Sequence, residues 1–234
     1  MSARPVLLPL GDDPSWRQLT QRWRFQEEHR PRLSTGEETM DALLAGGWPV
    51  GKVAELVGAA SSGKTSLAVA TVAAATARDE LALWVDASGQ FDAASLVAAG
   101  VRLEQLLLVQ AGEPGQAVRA VELVLEAGGF TVVVVDLGGE EPREGRGFRR
   151  EERARLPLRL ARAVERAGVV GLVLTPKPWV GTWAGVQVVF SPGKPRFVKE
   201  EGAGFWFAGF TVQAQVERGK GQQVGRRVAW VAGG

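Results

Sequence analysis

The sequence predicts an α/β fold: a mostly parallel central sheet flanked by helices, with an antiparallel C-terminal β-extension. Three observations predict it. Strand-length apolar runs alternate with helix patterns from about residue 53 to residue 174, which is the order of a βαβ series. The run Thr131-Val132-Val133-Val134-Val135 is apolar without alternation, as a strand buried on both faces by covering helices requires. The last part of the chain, by contrast, is β-rich, with glycine-rich turns and little helix pattern.

Residues 1–32 read as an N-terminal arm and residues 33–234 as the core. In the arm, Trp16, Leu19 and Trp23, interleaved with Arg17, Gln18, Gln21, Arg22 and Arg24, form a short amphipathic helix pattern that ends before Pro31. Such a helix packs on its own domain or on a neighbour, and both options stay open. His29, the one histidine, lies in this charged arm and is assigned no role. Leu33-Ser34-Thr35-Gly36 is a turn-like entry, and Met40 to Leu44 make one or two helical turns before Gly46-Gly47-Trp48-Pro49. There follow a strand near 53–57, helix 64–78, strand 82–86, helix 92–100, strand 106–110, helix 114–127, strand 131–136, a helix at about 157–167 and strand 169–174. Val186 to Phe190, Phe205 to Val216 and Arg226 to Val231 complete the sheet as its antiparallel extension.

With 234 residues, 45% of them apolar and 23% charged, the chain has enough material for a full core and too much apolar surface for extended disorder. The 28 Lys/Arg face 26 Asp/Glu, a net charge of +2 that is a weak argument for nucleic-acid affinity. The absence of cysteine excludes disulfides, zinc–thiolate clusters and a thiol nucleophile. The start MSARPVLLPLGDDPSW is too weakly apolar for a signal peptide and no run reaches membrane-spanning length, so a cytoplasmic location is expected.

Gly58-Ala59-Ala60-Ser61-Ser62-Gly63-Lys64-Thr65 matches G-x-x-x-x-G-K-T, between the apolar run Val53 to Val57 and the alanine-rich helix pattern Ser66 to Ala77. The spacing has a physical purpose. Glycines let backbone N–H groups turn inward around a β-phosphate, Lys64 brings a point charge to the β/γ oxygens, and the Thr65 hydroxyl can ligate Mg²⁺ at a helix N-terminus. Gly58, Ser61, Ser62, Gly63, Lys64, Thr65 and Ser66 are the nucleotide-binding candidates of this loop. The alternative is a glycine turn leading into an ordinary helix. Asp136 ends the valine strand, where the C-terminal edge of an open α/β sheet meets its ligand crevice. An acid there holds Mg²⁺ through water opposite Thr65, or else caps the turn into Gly138-Gly139.

The whole order of segments is also familiar. Leu33-Ser34-Thr35-Gly36, Asp41, Gly46-Gly47-Trp48-Pro49-Val50-Gly51-Lys52-Val53-Ala54-Glu55-Leu56, the phosphate loop, Trp84-Val85-Asp86-Ala87 and Val132 to Asp136 resemble the core of bacterial RecA recombinases over about residues 33 to 232. Within that RecA-like superfamily, Gly-Gly-Trp-Pro followed by Gly and a Glu-Leu strand looks most like the ImuA group, accessory proteins of mutagenic translesion synthesis. The resemblance implies a RecA-like phosphate-loop fold with ATP and Mg²⁺ as cofactors. It also places Asp92 against the adenine amino group and Lys177 where recombinases carry a glutamine that senses the γ-phosphate.

The departures from the recombinase pattern are as informative. The recombinase strand ends in Asp-Ala-Glu, whose glutamate positions the attacking water; in this chain it ends Asp86-Ala87-Ser88. A serine hydroxyl accepts no proton at neutral pH, and loss of a general base costs about two to four orders of magnitude in rate. The aromatic residue that stacks on adenine is replaced by Ser95, a loss of roughly 1 to 3 kcal/mol of binding. Of the two DNA-binding loops, the first is shortened to Gly138 to Phe148, and residues 140–155 mix six arginines with five glutamates, as a solvated face does. The second is reduced to Thr175-Pro176-Lys177-Pro178-Trp179 running into Gly181-Thr182-Trp183-Ala184-Gly185. From Lys194 to the end, seven Lys/Arg are interleaved with Phe197, Phe205, Trp206 and Phe207, either as a stacking and phosphate platform or, the favoured reading, as an amphipathic β-extension with basic turns. In recombinases the corresponding hairpin lends lysines to a neighbour's ATP; Lys220 matches one of them and Arg218 only loosely the other.

The expected function is that of an accessory adaptor in SOS DNA damage tolerance, binding a RecA-type recombinase and a Y-family polymerase-like partner. Its nucleotide site is expected to bind weakly and to hydrolyse slowly or not at all, and no residue is assigned as catalytic. Contact with DNA is expected to be weak, no membrane is involved, and self-association is left open. Two alternatives stand beside this reading: a DNA-dependent RecA-like ATPase, against which Ser88, Ser95 and the reduced second loop argue, and a regulatory ATPase switched by nucleotide.

Overall fold

A computed structural model describes residues 30–138, 150–200, 204–219 and 224–232. The chain divides into two units, Met1–Pro31 and Arg32–Gly234, and the sheet and its covering helices all belong to the second. The amphipathic pattern at Trp16, Leu19 and Trp23, His29, most of the first loop (139–148) and Lys220 lie outside the described residues.

The elements are β1 (Arg32–Leu33), α1 (Glu38–Leu43), β2 (Trp48–Pro49), β3 (Val53–Val57), α2 (Lys64–Thr76), β4 (Leu81–Asp86), α3 (Ala93–Ala98), β5 (Leu106–Gln110), α4 (Pro114–Ala127), β6 (Phe130–Asp136), α5 (Arg150–Ala167), β7 (Val170–Thr175), β8 (Val186–Glu200), β9 (Gly204–Gly219) and β10 (Arg227–Ala232). Eight strands form one sheet in the order β10-β9-β8-β3-β7-β6-β4-β5. From β8 to β5 every pair is parallel, whereas β9 and β10 run antiparallel to their neighbours. The mostly parallel sheet with an antiparallel C-terminal extension is the architecture expected from the sequence.

Period-two alternation explains the apolar strands. In β6, Val132 and Val134 enter one core while Val133 and Val135 enter the other, so neither face tolerates a polar side chain. The first core is covered by α1, α2 and α3, through Met40, Leu43, Leu67, Ala68, Val72 and Leu96. The second is covered by α4 and α5, through Ala117, Val118, Val121, Leu156, Leu160 and Val164. Helix α2 buries Leu67, Ala68, Thr71, Val72, Ala75 and Thr76, a stripe at helical spacing built largely from small residues.

The segment from residue 32 to residue 49 clips α2 in place. Arg32 donates to the carbonyls of Leu44 and Gly47, and Asp41 accepts from the Ser34 hydroxyl (2.6 Å) and the Thr35 N–H (2.7 Å). The buried Trp48 donates its indole N–H to Thr71 on α2 at 3.0 Å, and the Thr71 hydroxyl donates on to main-chain carbonyls. The stretch read as a turn-like entry, Leu33 to Gly36, thus starts on the second residue of a short strand, β1, paired with β2.

Two boundaries differ from expectation. Helix α5 begins at Arg150 rather than near residue 157, with Pro157 inside it. Proline favours the first helical turn, which points to a start there, but Leu156, Leu160, Ala163 and Val164 bury a continuous stripe across it. Strands β8 and β9 also run further, as a long antiparallel pair interrupted by register shifts between Gln187 and Val188, Ser191 and Lys194, and Pro195 and Phe197. Pro192, Gly193 and Pro195 break the strand pattern in the sequence, and bulges absorb them in the fold. Among the described residues no helix is long and apolar enough to cross a membrane.

Candidate functional site

Four parallel strands, β3, β7, β6 and β4, end side by side and bring the sequence-predicted loop and acids to one edge of the sheet. The loop leaves β3 at Gly58, whose N–H donates to the Thr175 carbonyl at the end of β7 (3.0 Å). Only glycine fits at this position. A Cβ on Gly58 would stand 2.4 Å from the Ser62 hydroxyl oxygen and 3.0 Å from Phe190. Ser61 (φ 58°) and Gly63 (φ 90°) turn the chain in the left-handed region, and α2 starts at Lys64 with no side chain capping it. Its first N–H groups are therefore left for a ligand or for water.

Lys64 is buried, and its ammonium folds back onto the Ala59 carbonyl at 3.0 Å. Burial holds its pKa below the usual lysine value, with Asp136 opposing that shift. The Ser62 hydroxyl is buried without a hydrogen-bond partner. An orphaned hydroxyl, a desolvated ammonium and uncapped N–H groups in a cradle that a single Cβ would fill fit a phosphate group. Thr65 and Ser66 stand exposed in the first turn of α2.

Asp136 and Asp86 are directly paired at the ends of β6 and β4. Burial pushes the Asp136 carboxyl above the ordinary aspartate value; the neighbouring Asp86 adds to the shift, while the Gly138 N–H (2.8 Å), Lys64 and the Ser88 hydroxyl oppose it. Among the described residues no three His, Cys, Asp or Glu side chains cluster to hold a metal alone. A Mg²⁺ ion would instead rest on the Thr65 hydroxyl and Asp136 together with ligand phosphates, the usual mode for this ion. Protons compete for Asp136 at a higher pH than for an ordinary aspartate. We therefore expect Mg²⁺-dependent nucleotide affinity to fall on mild acidification, and Asp136→Asn to bind more weakly with a flat pH profile. Titration of a fluorescent nucleotide at stepped pH checks this; the same slope in Asp136→Asn would remove the metal role.

Asp86 is held by its own loop. Its two oxygens accept four hydrogen bonds, from the Ser88 N–H (2.9 Å), the Ser88 hydroxyl (2.7 Å), the Gly89 N–H (3.0 Å) and the Phe91 N–H (3.2 Å). Asp92 caps α3, accepting the Ala94 and Ser95 N–H groups and the Ser95 hydroxyl, which hold its carboxyl below the ordinary value. Lys177 is exposed just beyond β7. Arg218, opposite Gln187 in the β8–β9 register, donates to the Gly181 carbonyl.

Two further residues of this region are assigned no role from the sequence. Glu55, buried in the middle of β3, accepts the N–H groups of Trp179 and Val180 (2.6 Å to the latter) and the Gln187 amide (2.8 Å). It thereby pins the connection from β7 to β8. An acid inside Val-Ala-Glu-Leu-Val was the one clue, because a buried carboxylate needs donors. Thr175, at the end of β7, keeps a buried hydroxyl without a partner beside the start of the loop.

The fold and this site have counterparts among known proteins. The RecA N-terminal domain profile matches residues 21–140, just over half of the chain. Protein RecA of Chlorobium limicola is 43% identical over 105 residues, covering 44% of this chain and 30% of its own length; that of Desulforapulum autotrophicum is 37% identical over 107 residues, covering 45% and 31%. The match thus spans about three-tenths of these relatives. A crystal structure of the RadB recombinase superposes with a TM-score of 0.65 at 21% identity, over 85% of this chain and 95% of that one, and shares its fold. On the profile match and the strand order together, the chain belongs to the family of the RecA N-terminal domain.

Proposed function

We propose that this chain is a RecA-fold accessory protein of DNA damage tolerance, of the ImuA type, which binds nucleotide weakly and works by docking a RecA-type recombinase and a Y-family polymerase-like partner. The observation that carries this reading is the Asp86–Ser88 arrangement. Where a recombinase holds its catalytic glutamate stands Ser88, whose hydroxyl donates to Asp86, and Asp86 is held against its own loop by the N–H groups of Ser88, Gly89 and Phe91. The Ser88 hydroxyl cannot take a proton from an attacking water, and the loop holds Asp86 in place as a structural acid.

The rest of the site agrees with weak binding. Asp92 and Ser95, at the adenine positions, satisfy each other at the start of α3, so contact with a base competes with the helix cap. Glu55 ties down the second loop, which leaves little of a relay from nucleotide to DNA. Lys64, Thr65 and Asp136 would hold phosphate and Mg²⁺, which would supply positive charge against the phosphates and the facing carboxylates.

We expect ATP turnover at least about 100-fold below that of a recombinase, without stimulation by single-stranded DNA. A phosphate-release assay with and without oligonucleotide checks it. Recombinase-like turnover on adding DNA would instead establish a DNA-dependent ATPase.

A further inference from the structure

Beyond the nucleotide site, the β8–β9 pair changes character along its length. Its inner half is amphipathic: Val212, Ala214 and Val216 are buried in the core, and β10 covers Phe210–Gln215. Its outer half is a two-stranded ribbon. There Phe197 pairs with Phe207, Val198 with Trp206 and Lys199 with Phe205. Strand β3 reaches only Val186–Val189 of β8, and β10 stops at Phe210, so among the described residues both edges of the ribbon are open.

A bulge marks the boundary between the halves. The register shifts between Ser191 and Lys194, where a Cβ on Gly193 would fall 1.5 Å from the Thr211 carbonyl oxygen. Both faces of the ribbon beyond it carry large apolar side chains. Phe205 is 73% exposed, Trp206 57%, Phe197 and Phe207 56%, Val198 45% and Phe210 38%. A lone two-stranded ribbon is at best marginal in water, and contiguous apolar patches of this kind mark docking surfaces.

We propose that the outer β8–β9 ribbon docks on the same ribbon of a second copy of this chain. Three observations select this occupant. The first is area: on one face Phe197, Phe205, Phe207 and Phe210 present on the order of 500 Å² per copy, or about 1,000 Å² for a pair, the area at which specific, reversible interfaces begin. The second is charge. Lys194, Arg196 and Lys199 are nearly balanced in sequence by Glu200 and Glu201, so two copies repel little and a polyanion gains little. The third is form. Phe197 and Phe207, and Phe207 and Phe210, meet edge to face at 69° and 68°, leaving no flat shelf for stacked bases, while open edges and apolar faces complement a copy of themselves.

Sedimentation velocity on the full chain tests the proposal. The expected result is a reversible dimer with a dissociation constant of about 1 to 10 µM, weakened at least about 30-fold in Trp206→Ser/Phe207→Ser with unchanged melting temperature. A protein monomeric at about 100 µM overturns it. So does a dimer that survives the double substitution, or one abolished only by removing residues 1–30. Because the chain lacks cysteine, Phe205→Cys provides a positional check: oxidation should link it into dimers, and Leu123→Cys on α4 should not link. Equal linking of both variants counts against the ribbon. A monomer that binds a single-stranded oligonucleotide through Trp206 would assign the ribbon to nucleic acid instead.

Discussion

Glu55→Ala should lower folding stability by about 3 kcal/mol and release the connection between β7 and β8. The expectation follows from what the carboxylate satisfies. Glu55 is buried mid-strand and is the acceptor for two main-chain N–H groups and one side-chain amide. Each buried donor left without an acceptor costs about 1 to 3 kcal/mol, and water entering the space left by the side chain recovers part of that. For a chain of this size the loss corresponds to a fall in melting temperature of about 6 to 12 °C. Urea denaturation measures the free energy, and hydrogen exchange at the Trp179 and Val180 amides locates it, with protection lost in the variant. Glu55→Gln keeps one oxygen for the N–H pair but turns an NH₂ toward Gln187, so it should lose about half as much. A loss below about 1 kcal/mol for Glu55→Ala, with both amides still protected, would mean that the connection is held by packing alone.

This clamp separates what local sequence carries from what it does not. Strand β6 and helices α2 and α4 were legible because their apolar spacing states which faces are covered, and the faces are indeed covered. The phosphate loop was legible because its turn needs glycine at fixed places, as the contact between a Gly58 Cβ and Ser62 shows. The partners of Glu55 lie 124, 125 and 132 residues away, and no local pattern announces them. The start of α5 was hidden by Pro157, a residue with a strong local preference that tertiary packing overrides. In the C-terminal extension, each sequence reading described part of the structure. The amphipathic reading suits Val212 to Val216, whereas the aromatic reading singled out the side chains that stay exposed beyond the bulge.

The residues that mark the family also differ in kind. Asp41 and Trp48, the latter through Thr71, make hydrogen bonds that lock the segment 32–49 onto α2, and neither reaches the loop crevice through those bonds. They identify the fold because they build it. The residues on which hydrolysis and adenine contact would depend, Asp86 to Ser88 and Asp92 to Ser95 respectively, bond within their own loop or helix cap. Family membership and turnover therefore rest on separate side chains. One can be kept while the other is lost.

Lys64→Ala tests that separation. The Lys64 ammonium is buried against the Ala59 carbonyl with its pKa lowered by desolvation, which Asp136 opposes, so its charge contributes little to folding. Its removal should leave stability within about 1 kcal/mol of the parent. Nucleotide affinity should fall by about 100-fold or more, because a charge-assisted bond to phosphate contributes roughly 1.5 to 3 kcal/mol and Lys64 can reach two phosphates. If docking is the function, capture of the recombinase by immobilised protein should be unchanged in the same variant, with or without ATP. Loss of capture together with nucleotide would establish a nucleotide-gated switch, and the conformational signal would then have to leave the loop by a route other than the segment clamped by Glu55. Unchanged nucleotide affinity would mean that the cradle from Gly58 to Thr65 is not the binding site, despite its glycines and its orphaned Ser62 hydroxyl.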